Sequence, residues 1–348
     1  MPPLTRLLRV AVVTVILTLA VMGTLVLVLA RHPAAGLAIA AELVAVVVGV
    51  AVKCAGPKSR TVGVEITPEH VRIVEVSRDA SGFSVRKFAE TPTPEGSLNS
   101  CEIVKPREVA SALRSLIVSQ RASRRLVLGI DATATVFKRM KLPPMADEEL
   151  PSAIKWEMVD YFPGSEVAVS YRVLKQDGSG IVVQAVGAKA SCVGSLSVAG
   201  RSAGGRLVAI DVDSVAAYRA LVWSGSISGE ACLLVHPRKG WVSITAFDKE
   251  GMPVFARHLR GEDWDGARSV GVLDEVVRSL DYYSSLGREL GSINQVTVLL
   301  TQPQSQQLLT ELQGMLPWLP VKAGYIESGQ VPPEFVVALG LAIWEKDR

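Results

Sequence analysis

From Thr61 onward the chain alternates apolar and polar positions in short bursts, separated by Gly, Pro and Asp/Ser clusters. GVEITPEHVRIVEV has the two-residue period of strands on both sides of Thr67-Pro68-Glu69-His70 and predicts a hairpin with a four-residue turn. A tight turn (DASG) and a third strand, Phe83 to Ala89, follow. A helix over Pro106 to Gln120 and a strand over Arg125 to Asp131 complete the run. The same order returns from Ala231: strand ACLLV, turn HPRKG, strand WVSITAF, turn DKEG and strand MPVFARHL. A helix from Val272 to Leu286, the strand QVTVLL and a helix from Ser305 close this second copy. Two copies of a βββαβα unit imply an α/β architecture of two similar domains facing each other across a cleft.

Between the copies, residues 132–208 read as an inserted α+β subdomain, with strands at Val136 to Leu142, Val167 to Leu174 and Ile181 to Ala188. Its helix opens at Asp147, a plausible cap with further acids in the first turn. The expected domains are therefore 61–210, containing the insert, and 211–348, with the last helix returning to the first domain.

The chain before Thr61 has a different pattern. Leu7 to Ala30 is apolar apart from Arg9, and Ala34 to Val52 is apolar apart from Glu42. Each run is long enough to cross a bilayer. Only Arg31-His32-Pro33 joins them, so residues 1–60 are expected to be a two-helix membrane anchor plus linker, with Glu42 facing a polar partner. Arg6, Arg9, Lys53, Lys58 and Arg60 flank the pair against Arg31 in the turn, which places both ends in the cytoplasm. Residues 1–60 carry six Lys or Arg and one acid, so within a whole-chain charge of +3 the remainder is at −2. The overall charge thus gives no support to nucleic-acid binding. The four cysteines, Cys54, Cys101, Cys192 and Cys232, are scattered without a CxxC pair and are expected to be reduced thiols. The four histidines show no metal-ligand spacing, and there is no P-loop or GxSxG, so neither a metal nor a catalytic residue is expected.

The stretches GVEITPEHVRIVEV, CEIVKPREVASALRSLI, MKLPPMADEELPSAIKWEMVDYFP, SYRVL, AIDVDSVAAYRAL, EVVRSLDYY and ALGLAIW stand in order along the soluble part. With them the chain resembles the PilM family of type IV pilus assembly platforms, whose fold is that of actin-like ATPases. The resemblance implies a bacterial inner-membrane platform scaffold, working with other platform subunits and an assembly ATPase. It also implies that a groove beside the insert binds the cytoplasmic N-terminal peptide of a PilN-like membrane partner. Ile154, Trp156, Met158, Tyr161 and Phe162 are the groove candidates, with Tyr161 and Phe162 expected to be the most exposed and the others more suited to a core. The amino-terminal membrane pair is a departure from that family.

The resemblance also places a nucleotide cleft between the two hairpin turns and a later loop, and all three depart from the family pattern. Glu65 stands for Asp, Thr67 for Gly, and Pro68 removes an N–H from the first turn. The second turn is His236-Pro237-Arg238-Lys239, and the third loop, Thr301-Gln302-Pro303-Gln304, has no glycine. Phosphate nests are built from backbone N–H groups, so these changes predict a protein that does not hydrolyse ATP and has no resident cofactor. Glu65 and Glu69 are expected to face Arg238 and Lys239, closing the cleft with protein charge. An ATP-binding switch or slow ATPase on the same fold, and an actin-like membrane protein of cell division or polarity, are the alternative readings.

Overall fold

A computed structural model describes residues 59–79, 82–260, 270–287, 290–302, 304–326 and 331–345. The proposed membrane pair, with Glu42 and Cys54, lies outside the described residues. No helix among the described residues is long and apolar enough to cross a membrane.

The first copy supplies strands β1 (Ser59–Ile66), β2 (His70–Asp79) and β3 (Gly82–Pro92). A two-residue pair, β4 (Leu98–Asn99) and β5 (Glu102–Ile103), leads into helix α1 (Pro106–Ser119). Helix α1 begins on a proline, where no N–H is needed, and buries Val109, Ala110, Leu113, Leu116 and Ile117, the spacing of one helical face. Strand β6 (Arg125–Ile130) is an unbroken buried run, as expected of a strand covered on both sides.

The insert is a separate three-stranded sheet: β7 (Thr135–Leu142), helix α2 (Leu150–Val159), β8 (Val167–Asp177) and β9 (Gly180–Lys189), in the order β7-β9-β8. Helix α3 (Ala190–Ser202) and strand β10 (Arg206–Val212) belong again to the first domain, since β10 pairs in parallel with β6. The inserted sheet is therefore narrower than the 132–208 expected from sequence. Its helix starts three residues later than expected. Asp147 does not cap it, and Glu149 stands at that position with its carboxylate accepting from the Ala146 N–H.

Helix α4 (Asp213–Ser224) crosses to the second copy: β11 (Cys232–Arg238), β12 (Trp241–Phe247), β13 (Pro253–Arg260), α5 (Val270–Ser285), β14 (Gln295–Leu299), α6 (Ser305–Met315), β15 (Val321–Gly324) and α7 (Val336–Ala342). The two five-stranded sheets have the same order, β3-β2-β1-β6-β10 and β13-β12-β11-β14-β15. In each, a three-strand meander is extended by two parallel strands.

Helices α4 and α7 fill the space between the sheets. Val74 and Val127 of the first sheet share one buried cluster with Ala217 and Leu221 of α4, Leu234 and Phe247 of the second sheet, and Leu339 of α7. Backbones approach closely there: a Cβ on Gly63 of β1 would fall 2.0 Å from the Ala338 carbonyl oxygen.

Candidate functional site

The site is built where β1 and β11 end facing each other. In the first turn, the Thr67 N–H donates to the His70 carbonyl at 2.9 Å and the His70 N–H to the Thr67 hydroxyl at 3.0 Å. Thr93 donates its N–H to the Glu69 carbonyl and its hydroxyl to the Thr67 carbonyl. Pro68 has no N–H. Three of the four turn positions thus offer no free backbone donor.

The second turn differs from the sequence expectation. His236, Pro237 and Arg238 are not turn residues; they continue strand β11, opposite Ser243, Val242 and Trp241 of β12. Only Lys239-Gly240 forms the loop, and Gly240 supplies the positive φ (76°) of a two-residue hairpin. Proline is tolerated in this strand because pairing with β14 stops at Val235, leaving Pro237 beyond the ladder on that side. Its carbonyl accepts from the Thr301 hydroxyl at 2.9 Å. In the third loop the Gln302 N–H donates to the Ser305 hydroxyl, so these polar groups too are satisfied internally. His236 is buried, and burial next to Arg238 and Arg72 holds its imidazole neutral, far below the usual histidine range.

Extending β11 by three residues carries Arg238 across to the first domain. Its Nη1 lies 3.0 Å from Glu65 Oε1 and its Nη2 2.8 Å from Asp213 Oδ2. The guanidinium also stands 5.1 Å from the centre of the Trp241 ring. Glu65 is further approached by Arg72 Nη1 at 3.7 Å, and Arg72 is held by Glu90 at 2.8 Å. Asp213 is fixed by the N–H groups of Ala132 (2.9 Å) and Ser214 (2.6 Å) at the first turn of α4. All three side chains are nearly inaccessible: Arg238 is 12% exposed, Glu65 6% and Asp213 4%. Desolvation, reinforced by Asp131 and Glu65 and only partly offset by Arg238, pushes the Asp213 carboxyl up to about 7.

Glu65 and Arg238 meet as the charge pattern suggested, but in a buried cluster and not as an exposed pair. Glu69 and Lys239 form no ion pair with each other among the described residues. Asp213 and Arg72 were missed by sequence reasoning, although Asp213, directly after the β10 pattern and opening the AIDVDSVAAYRAL helix, was a readable signal. A second link joins the insert to the second domain. Arg139 of β7 reaches Asp248, fully buried after β12, at 2.5 Å. No group of residues suited to hold a metal occurs among the described residues.

The groove candidates separate into two sets. Ile154, Met158 and Phe162 form the core of the insert. Phe162 is buried, against expectation, because Gly187 of β9 makes room for it: a Cβ there would come within 3.0 Å of the Phe162 ring and 2.7 Å of Met158 Cε. Trp156, expected to suit a core, is instead 81% exposed and Tyr161 48%, and Lys138 Nζ lies 5.0 Å from the Tyr161 ring centre. The expectation of reduced thiols is also corrected for one pair. Cys101 and Cys192 are joined by a disulfide, because α1 packs on α3 and lays the β4–β5 turn over the start of α3, where the Ile103 N–H donates to the Ser195 hydroxyl. Cys232 remains a buried thiol.

The two matched sheets, with an inserted subdomain in the first half, define a mixed α/β protein of two similar domains. The family profile of the type IV pilus assembly protein PilM matches residues 63–226. The structure is similar to that of a PilM-PilN type IV pilus biogenesis complex, with a TM-score of 0.70 and 23% identity over 82% of this chain and 98% of that one. Lower similarity is found to a Bacteroides thetaiotaomicron protein with an actin-like ATPase fold (TM-score 0.46, 13% identity, 81% of this chain and 96% of that one). The cytoplasmic domain of EpsL, from the Vibrio cholerae type II secretion system, gives a TM-score of 0.43 at 14% identity over 74% of this chain and 95% of that one. The chain is PilM-like in sequence over residues 63–226 and in fold beyond them.

Proposed function

We propose that this protein is a nucleotide-independent scaffold of a type IV pilus or related secretion or competence platform, anchored in the bacterial inner membrane by residues 7–52. Its soluble part faces the cytoplasm and binds the N-terminal peptide of a PilN-like partner beside the insert, where Trp156 and Tyr161 are exposed. The observation that carries the reading is Arg238, buried between Glu65 and Asp213. An actin-like ATPase holds its two halves together through metal and phosphate; here a guanidinium from the second half supplies positive charge to carboxylates of the first. The turns that would surround phosphate spend their backbone donors internally, which supports the same reading.

Titration calorimetry of the full chain in detergent with ATP and Mg²⁺ tests it. No heat of binding at micromolar nucleotide is expected. Micromolar affinity would favour the ATP-binding switch instead.

A further inference from the structure

The parallel strands β1, β6 and β10 all begin at one end of the first sheet, and that end is basic. Arg60 is the second residue of β1, Arg125 opens β6 directly after Arg124, and Arg206 opens β10; Arg121 and Arg201 lie at the C-terminal ends of α1 and α3 beside them. Contacts hold these segments together. The Ser123 hydroxyl donates to the Arg60 carbonyl at 3.0 Å, and the Arg206 N–H donates to the Arg124 carbonyl at 2.6 Å. Arg125 and Arg206 are direct partners in the ladder.

Glu75 of β2 is buried at this end and accepts from the Ser123 N–H at 2.8 Å, but among the described residues no ion pair joins it to these arginines. The sequence contains no Asp or Glu from Val109 to Ile130 or from Gly178 to Ile210. Among the described residues none of the six arginines is ion-paired, and all but the half-buried Arg125 are exposed. Helix dipoles account for one cation at each helix end, Arg121 and Arg201. They do not account for the four at strand starts, where Arg125 beside Arg206 is a like-charge neighbour that costs stability unless an anion lies nearby.

We propose that this end of the first domain rests on anionic lipid headgroups, so that the domain is oriented on the membrane as well as tethered to it. The inference rests on the membrane-anchor reading. The apolar run ends at Val52, seven residues before Ser59, a chain length of at most about 25 Å even when fully extended. The basic end is the end at which the chain enters the domain, so the tether holds it close to the leaflet. Attraction of arginine to a negative leaflet fades within a Debye length, about 8 Å at physiological salt, so the short linker is what makes the patch effective.

The test uses the full chain with Cys54→Ser and Ser202→Cys, labelled at residue 202 and reconstituted in nanodiscs carrying acceptor-labelled lipid. Energy transfer should be greater in discs containing phosphatidylglycerol than in phosphatidylcholine alone. The difference should disappear in 1 M salt and in the triple variant Arg121→Glu/Arg124→Glu/Arg201→Glu. The same positions changed to Gln should give an intermediate value, with an unchanged thermal melt. Equal transfer in both lipids, with the protein stably inserted, overturns the inference and leaves the anchor intact. Recovery of the protein outside the disc fraction overturns the anchor and this inference with it. Heparin binding in zwitterionic discs, without a lipid effect, overturns it in favour of an acidic macromolecule.

Discussion

Gly340 of α7 lies against Ala216 of α4 so closely that a Cβ on Gly340 would fall 1.7 Å from the Ala216 carbonyl oxygen. Both helices are wedged between the two sheets, so neither can retreat without opening the shared core. Gly340→Ala should therefore cost about 3 kcal/mol or more, at the upper end of overpacking effects. The control is Gly314→Ala in α6, where a Cβ meets nothing within 4 Å. That change should stabilise by up to about 1 kcal/mol through helix propensity alone. Urea midpoints of the two variants should move in opposite directions.

Arg238→Met should destabilise by about 3–5 kcal/mol, because it leaves Glu65 and Asp213 buried without their guanidinium. Adding Glu65→Met and Asp213→Asn to that variant should recover a large part of the loss, since the uncompensated charge goes with them. Chemical denaturation of the single and triple variants checks this. Additive losses would mean the three residues do not act as a unit.

The Asp213 carboxyl gives a pH signature of defined sign. Its folded pKa, about 7, lies above its ordinary value of 3.8. Below 3.8 the group is protonated in both folded and unfolded chains and its stabilising contribution is complete. Between 3.8 and 7 the unfolded chain loses the proton first, so this contribution falls by about 1.4 kcal/mol per pH unit, and above 7 it is flat. Other carboxylates oppose the trend, so the measurement is a difference. Stability of the parent minus that of Asp213→Asn should decline from pH 4 to 7 and then level off.

The Cys101–Cys192 bond closes a loop of 91 residues. On chain-entropy grounds its loss should cost about 4–5 kcal/mol, a contribution present only while the pair is oxidised and absent where a reducing cytoplasm opens it. Cys101→Ser/Cys192→Ser should melt well below the parent in the absence of reductant, and the parent in dithiothreitol should approach the variant. Equal melting under both conditions would show that the bond adds no stability.

Tyr161→Ala and Trp156→Ala should each weaken capture of a PilN-like N-terminal peptide while leaving the circular dichroism melt unchanged. Phe162→Ala, one residue away, should instead cost about 3–5 kcal/mol of stability, because its ring belongs to the core of the insert. The pair of results separates surface from core at neighbouring positions. Loss of folding in Tyr161→Ala would remove it from the surface set.

Period-two patterning made the duplicated strands legible, and the spacing in Pro106 to Ile117 did the same for α1. Boundaries were harder where a strand carries residues that usually punctuate. Pro237 marked a turn in sequence, yet it sits in β11 because only one flank of the strand needs donors there. Phe162 and Tyr161 are adjacent and aromatic, and nothing in their pattern says which one Gly187 accommodates. The Glu65–Arg238 approach could be anticipated from the equivalence of the two hairpins. The approach of Cys101 to Cys192 depends on how α1 seats on α3, a tertiary fact with no local trace. Glu69 and Lys239 had the right charges but stand on turns whose geometry sends them elsewhere.

The contact between Gly63 and α7 also sets an order of events during synthesis. Gly63 stands in the first described strand and Ala338 in the last described helix, yet each covers the other's backbone. Strand β1 therefore keeps its inner face uncovered until α7 has been made. A chain that stops short of α7 would not be a smaller version of this protein. It would expose the seam along Val74, Val127 and Leu234.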